Sequence, residues 1–148
     1  MLANIIQIRQ ELHAHPSLSG LESYAHDVIV SFLEKLQPTM LFQHVGGYGV
    51  VAIFGPGEER CMVLRADIDA LPIHEENFLP YASCQAGVSH KCGHDGHTAI
   101  LLAVAARIAH QPLPRAVMLI FQPSEETGEG SLRMLASEPF QRFRPEAV

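Results

Sequence analysis

Three runs of consecutive apolar residues constrain the chain most: residues 48–54 (Y-G-V-V-A-I-F), 61–66 (C-M-V-L-R-A, broken only by Arg65) and 116–121 (A-V-M-L-I-F). Each is short for a helix and rich in β-branched residues, and none shows the polar–apolar alternation of a strand with one wet face. They read as strands buried on both sides. Gly46-Gly47 precedes the first, Gly55-Pro56-Gly57 closes it, Pro112 and Pro114 precede the third, and Pro123 ends it. Elsewhere the apolar period is helical. Ile5, Ile8 and Leu12 share a face of residues 4–13. Ala25, Ile29, Phe32, Leu33 and Leu36 do so over residues 22–36, with Ser19 or Gly20 as the cap. Residues 96–110 are apolar on nearly every face, which predicts a helix buried all round, and residues 128–137 predict a short one. Residues 67–94, with Pro72 and Pro80 among them, form a long irregular stretch of the kind that carries function. The order helix, helix, strand, strand, helix, strand, helix predicts an α/β fold: a mixed, largely parallel sheet with helices on both faces. The tail, 142–148, reads as the approach to a further strand.

The balance of residues excludes several functions. At 148 residues and 47% hydrophobic, the chain can bury a core. Its net charge of −6, with no basic patch, argues against nucleic acid as a partner. The longest apolar stretch, 98–106, is far too short to span a bilayer. Three cysteines, Cys61, Cys84 and Cys92, are an odd number and imply no disulfide framework. With no signal-peptide pattern at the start, a cytoplasmic location is expected.

The densest chemistry lies in His90-Lys91-Cys92-Gly93-His94-Asp95-Gly96-His97. Thiolate and imidazole suit zinc and its neighbours among the divalent transition metals. The glycines let a tight backbone bring Cys92 and His94 onto one centre. The same letters also fit a polar loop leading into a helix, with His97 in its first turn. In Ser124-Glu125-Glu126, one carboxylate can bind a metal while its neighbour moves a proton; acids complementing a helix dipole are the alternative. In Arg65-Ala66-Asp67-Ile68-Asp69, Asp67 is placed either to orient a metal-binding imidazole or to pair with Arg65 at the strand end. Both acidic pairs follow strands, where open α/β sheets bind ligands. His13-Ala14-His15-Pro16 reads as a helix terminus, because histidines two apart do not share a helical face. His26, His44, His74 and His110 are isolated, Cys61 reads as a core residue, and nothing near Cys84 activates it.

Taken in order, R-Q-E-L-H-A-H-P, L-R-A-D-I-D-A-L-P-I, H-K-C-G-H-D-G-H-T-A and F-Q-P-S-E-E-T-G-E-G run from Arg9 to Gly130. Together they resemble the amidohydrolase branch of the aminoacylase and carboxypeptidase metallopeptidases. That branch includes hippurate hydrolase, indoleacetyl-amino acid hydrolases and N-acyl amino acid deacylases. The resemblance implies a zinc-exopeptidase-like catalytic domain that hydrolyses the amide bond of N-acyl amino acids, a small-molecule substrate. It implies two divalent metal ions per complete site, zinc or manganese first, with nickel or cobalt also admitted. It makes Cys92, His94 and Glu126 metal ligands. It makes Glu125 the general base that takes a proton from the metal-bridging water and passes it to the leaving amine. Asp67 is placed behind the ligands. Two positions depart from the family pattern: Ser17 stands where a Glu usually follows His-Pro, and Lys91 where a small residue usually precedes the Cys.

Members of that branch are considerably longer. The resemblance implies a further His ligand shortly beyond Val148, another near the family's C-terminus, and a smaller covering domain that often makes the dimer. On that reading residues 1–148 are the N-terminal part of the catalytic domain, any homodimer or homo-oligomer belongs to the full-length form, and the chain alone is expected to hydrolyse little or nothing. The alternative is a non-catalytic metal-binding or interaction fragment of the same ancestry. A thiol-redox role for Cys92 is disfavoured because no C-x-x-C occurs.

Overall fold

The computed structural model describes residues 2–57 and 59–148. Two helices, α1 (Leu2–Ala14) and α2 (Ser23–Leu36), precede the strands β1 (Met40–Val45), β2 (Gly49–Phe54) and β3 (Arg60–Asp67). Helix α3 (His94–Ile108) leads to β4 (Ala116–Gln122), then come short helices α4 (Gly130–Leu135) and α5 (Glu138–Arg142), and β5 (Arg144–Ala147). The strands form one sheet in the order β1-β2-β4-β3-β5. The sheet is mixed. β1–β2 and β2–β4 are antiparallel, and β3–β4 and β3–β5 are parallel. The parallel pair β3–β4 is joined through α3, a βαβ unit.

The continuous apolar runs have the expected cause. Val50, Ala52, Phe54, Leu119 and Phe121 pack on one face against Ile5, Ile8, Leu12, Ile29, Leu33 and Leu102 of α1, α2 and α3. The alternate residues Val51, Ile53, Val63, Met118 and Ile120 pack on the other face against Met134 of α4 and Phe143. A strand covered on both faces is apolar at both parities. This places the carboxyl ends of β3 and β4 side by side, with Asp67 opposite Gln122 in the register.

Several expectations are corrected. Helix α3 is not buried all round: it buries His94, Asp95, Thr98, Ala99, Leu101, Leu102 and Ala105, while Ile100 is 65% exposed. Met62 and Leu64 of β3 are likewise exposed on that side, because no described element packs over them. β1 escaped the sequence reading because its polar residues Gln43 and His44 interrupt the pattern, and it is an edge strand with only Val45 fully buried. The tail is itself a strand. β5 has no apolar signal, is exposed throughout, and contains Pro145, which an edge strand tolerates. Neither Ser19 nor Gly20 caps α2: Glu22 precedes it and makes no capping bond. No helix among the described residues is long and apolar enough to cross a membrane.

Candidate metal centre

The sharp turn into α3 explains how Cys92 and His94 come together. Gly93 lies between them at φ 86, a conformation that L side chains rarely adopt and glycine adopts freely. The buried His94 ring is then fixed from behind. Its Nδ1 lies 3.0 Å from the Asp69 carbonyl oxygen and 3.3 Å from Asp69 Oδ1. That leaves Nε2 facing outward, 3.8 Å from Asp67 Oδ2, 3.8 Å from Glu125 Oε2 and 3.9 Å from Glu126 Oε1. These separations exceed hydrogen-bond reach. Ligand atoms of Cys92, His94 and Glu126 lie within 4.8 Å of one another, as do those of Asp67, His94 and His97.

This donor set fits a divalent transition metal. Bonds of about 2.0–2.3 Å to S, N and O hold neighbouring tetrahedral donors roughly 3–4 Å apart, a separation that donors within 4.8 Å of one another reach by small side-chain shifts. The local field also favours a cation. Burial alone would make His94 less basic, but its engagement by Asp69, the neighbouring Cys92 and the negative charge of Asp67 outweigh it, and its pKa is pushed up to about 11. The site stabilises positive charge next to Nε2.

The acidic pair after β3 divides its work differently from the expectation. Asp69, not Asp67, makes the supporting bonds: it holds His94 and accepts the Glu126 backbone N–H at 3.0 Å and the Ser19 hydroxyl at 2.7 Å. Burial works against the Asp69 carboxylate, yet the bonds from His94, Glu126 and Ser19 leave its pKa lowered. Asp67 forms the ion pair with Arg65 that the sequence left open. Burial raises its pKa, Arg65 and His94 oppose the rise, and Glu125 and Asp69 reinforce it. Environments that push two carboxylates apart in this way mark sites of proton chemistry. Glu125 and Glu126 leave the end of β4 through Ser124, which holds φ 51. Their side chains are 40% and 26% exposed, so both are open to solvent on one side.

A second layer was not legible in the sequence. His13, read there as a helix terminus, is buried with Nδ1 2.8 Å from Asp95 Oδ2 and Nε2 3.1 Å from Glu75 Oε1. Arg9 reaches the same Asp95 oxygen at 2.8 Å. Lys91, the departure beside Cys92, pairs with Glu75 at 3.2 Å, and the Ser83 N–H donates to Glu75 at 2.8 Å. The long loop is thereby tied to α1 and to the start of α3. His90, buried beside them, is held neutral: burial lowers its pKa to about 4, against the pull of Asp95.

Burial disfavours ionised Glu75, but the Ser83 amide, His13 and Lys91 together bring its pKa from 4.5 down to about 2. A carboxyl whose folded pKa is depressed adds stability that is fully present above its unfolded pKa, and that stability disappears as pH falls through the folded value. Glu75→Gln is therefore expected to cost roughly 1–3 kcal/mol in urea unfolding at neutral pH. The gap to wild type should narrow steadily as pH falls below about 4.5. A gap that stays constant through this range would mean that Glu75 is not held ionised by the loop.

Comparison with known proteins found a family and several relatives. The model for peptidase family M20/M25/M40 matches residues 63–148. An uncharacterized hydrolase of Staphylococcus haemolyticus is 40% identical over 144 residues, 95% of this chain and 37% of that protein. The N-acetyldiaminopimelate deacetylase of Geobacillus thermodenitrificans is 34% identical over 148 residues, 99% of this chain and 39% of that one. The crystal structure of the Bacillus subtilis YXEP protein, described as a dinuclear metal binding peptidase from the M20 family, matches with a TM-score of 0.79 at 37% identity, over 90% of this chain and 38% of that one. The chain spans well under half the length of these relatives.

Proposed function

Because the chain belongs to peptidase family M20/M25/M40, we propose that it supplies part of a dinuclear metal centre that cleaves the amide bond of N-acyl amino acids. The observation that carries this reading is the convergence of Cys92, His94 and Glu126, from two separate segments, to within 4.8 Å. Those three residues would hold the metal; their S and N donors suit zinc, and the family resemblance also admits manganese, nickel or cobalt. When bound, the metal supplies Lewis acidity, making water acidic near neutral pH and polarising a carbonyl.

The chain's own residues do the rest. Asp69 fixes the His94 ring by engaging Nδ1, so Nε2 is the nitrogen presented to the site. Glu125, near His94 and partly exposed, takes the proton from the attacking water and returns it to the departing amine. A cleft of about 410 Å³ beside Arg65, Asp67 and His97 has Leu64, Ile100, Leu101 and Val104 as its apolar side, which could receive an acyl group. A relative named as a deacetylase of an N-acetyl amino acid supports the same substrate class.

Metal retention is the first readout and amine release from N-acetyl amino acids the second. Whatever rate the loaded chain gives should fall about 10²–10⁴-fold in Glu125→Gln, with metal content unchanged. A chain that retains no metal, or a rate indifferent to Glu125, would overturn the reading.

A further inference from the structure

Glu22 is fully buried, an uncommon state for a carboxylate. It lies just before α2, and its partners explain its place. Oε1 accepts the Ser124 N–H at 2.8 Å, the Ser124 hydroxyl at 3.1 Å and the Gly20 N–H at 2.8 Å. Ser124 is 102 residues away, is itself buried, and directly precedes Glu125 and Glu126. Its φ of 51 is unfavourable for a residue with a Cβ, so something must hold it there. The next turn closes from the other side, through Gly130 N–H to Ser124 O at 3.1 Å and Gly128 N–H to Glu125 O at 2.8 Å.

We propose that Glu22 is a positioning residue for the acidic pair: its buried carboxylate holds Ser124 in the left-handed conformation that turns Glu125 and Glu126 toward His94. This rests on the reading of Glu126 as a metal ligand. The work is divided along one connecting segment. Ser19 supports Asp69, and Glu22 supports Ser124. Through them the α1–α2 connection braces the ends of both β3 and β4. The second oxygen, Oε2, is buried without a hydrogen-bond partner among the described residues. A Gln at this position would therefore place an unpartnered amide group there or turn it toward the Ser124 N–H, and is not a neutral replacement.

The test compares Co²⁺ affinity in wild type, Glu22→Ala, and Glu22→Ala/Ser124→Gly, with Glu126→Ala as reference. Loss of the buried hydrogen bonds that support Ser124 should weaken Co²⁺ binding about tenfold in Glu22→Ala. Glycine occupies positive φ without strain, so Ser124→Gly in the same protein should restore most of the loss. A Glu22 that merely filled space would gain nothing from that second change. Should Glu22→Ala fail to fold, Glu22→Gln with and without Ser124→Gly carries the same comparison. Loss without rescue, or no loss, while Glu126→Ala still weakens binding would overturn the proposal. If Glu126→Ala leaves Co²⁺ affinity unchanged, the site reading fails instead. The clamp is then judged by the Ser124 amide proton, expected downfield and moved upfield by Glu22→Gln; no movement would overturn it.

Discussion

Replacing Cys92 and His94 together by alanine is expected to weaken zinc or cobalt binding more than about 100-fold. The reference is the effect of groups that only support a ligand, whose loss costs roughly 10- to 100-fold in metal affinity. Removing two donors themselves should exceed that. Both donors come from the one glycine-turned loop, and the Glu126 carboxylate, 26% exposed, cannot hold a metal tightly alone. Asp69→Asn should fall inside the supporting range, because it disturbs the partner of His94 Nδ1 and the acceptor of the Glu126 N–H while leaving all three donors in place. Competition against a coloured chelator measures both. Equal metal affinity in wild type and the Cys92→Ala/His94→Ala double variant would remove the centre, and an Asp69→Asn loss as large as the double variant's would mean that Asp69 is itself a donor.

Gly130→Ala should be the most damaging single methyl in the chain. Gly130 opens α4 with its Cα against the Pro123 backbone, and a Cβ there would overlap the Pro123 carbonyl oxygen and crowd its carbon. Backbone cannot swing aside as a side chain does, and the 124–130 loop is already closed by the Gly130–Ser124 bond. The cost is expected to reach about 3 kcal/mol or more. Gly128 is the matched control. It has φ 71, but its Cβ would meet nothing within 4 Å, so Gly128→Ala should cost only about 1–2 kcal/mol of backbone strain. Urea unfolding of both variants separates the two effects. If Gly130→Ala is no worse than Gly128→Ala, the close approach to Pro123 is not present in solution.

Helices α1 and α2 were legible from their helical period and the three central strands from short, continuous apolar runs, whereas α5 left no signal of its own. The ends of β3 and β4 were legible because acids directly after apolar runs stand out. β1 and β5 were not. An edge strand buries little, so selection for burial leaves no pattern to read: β5 is Arg-Pro-Glu-Ala, held by its pairing with β3 and by Glu146 bonding Arg60 and Arg115. The apolar face of α3 was read correctly as apolar and wrongly as covered. Periodicity records what a surface prefers to meet, not whether the described residues meet it.

The sequence by itself determined the ingredients: an α/β chain, with Cys92 and His94 two apart around a glycine and Glu125 and Glu126 side by side after a buried strand. These are relations within single segments, where spacing and residue type suffice. Only the tertiary structure decided who supports whom. It made Asp69 rather than Asp67 the partner of His94, set His13 between Asp95 and Glu75, and brought Glu22 to Ser124 across 102 residues. Hydrogen bonds between distant segments depend on where the sheet and helices bring them, and they leave no period along the chain. For that reason the layer that holds the site became visible only once the chain was folded.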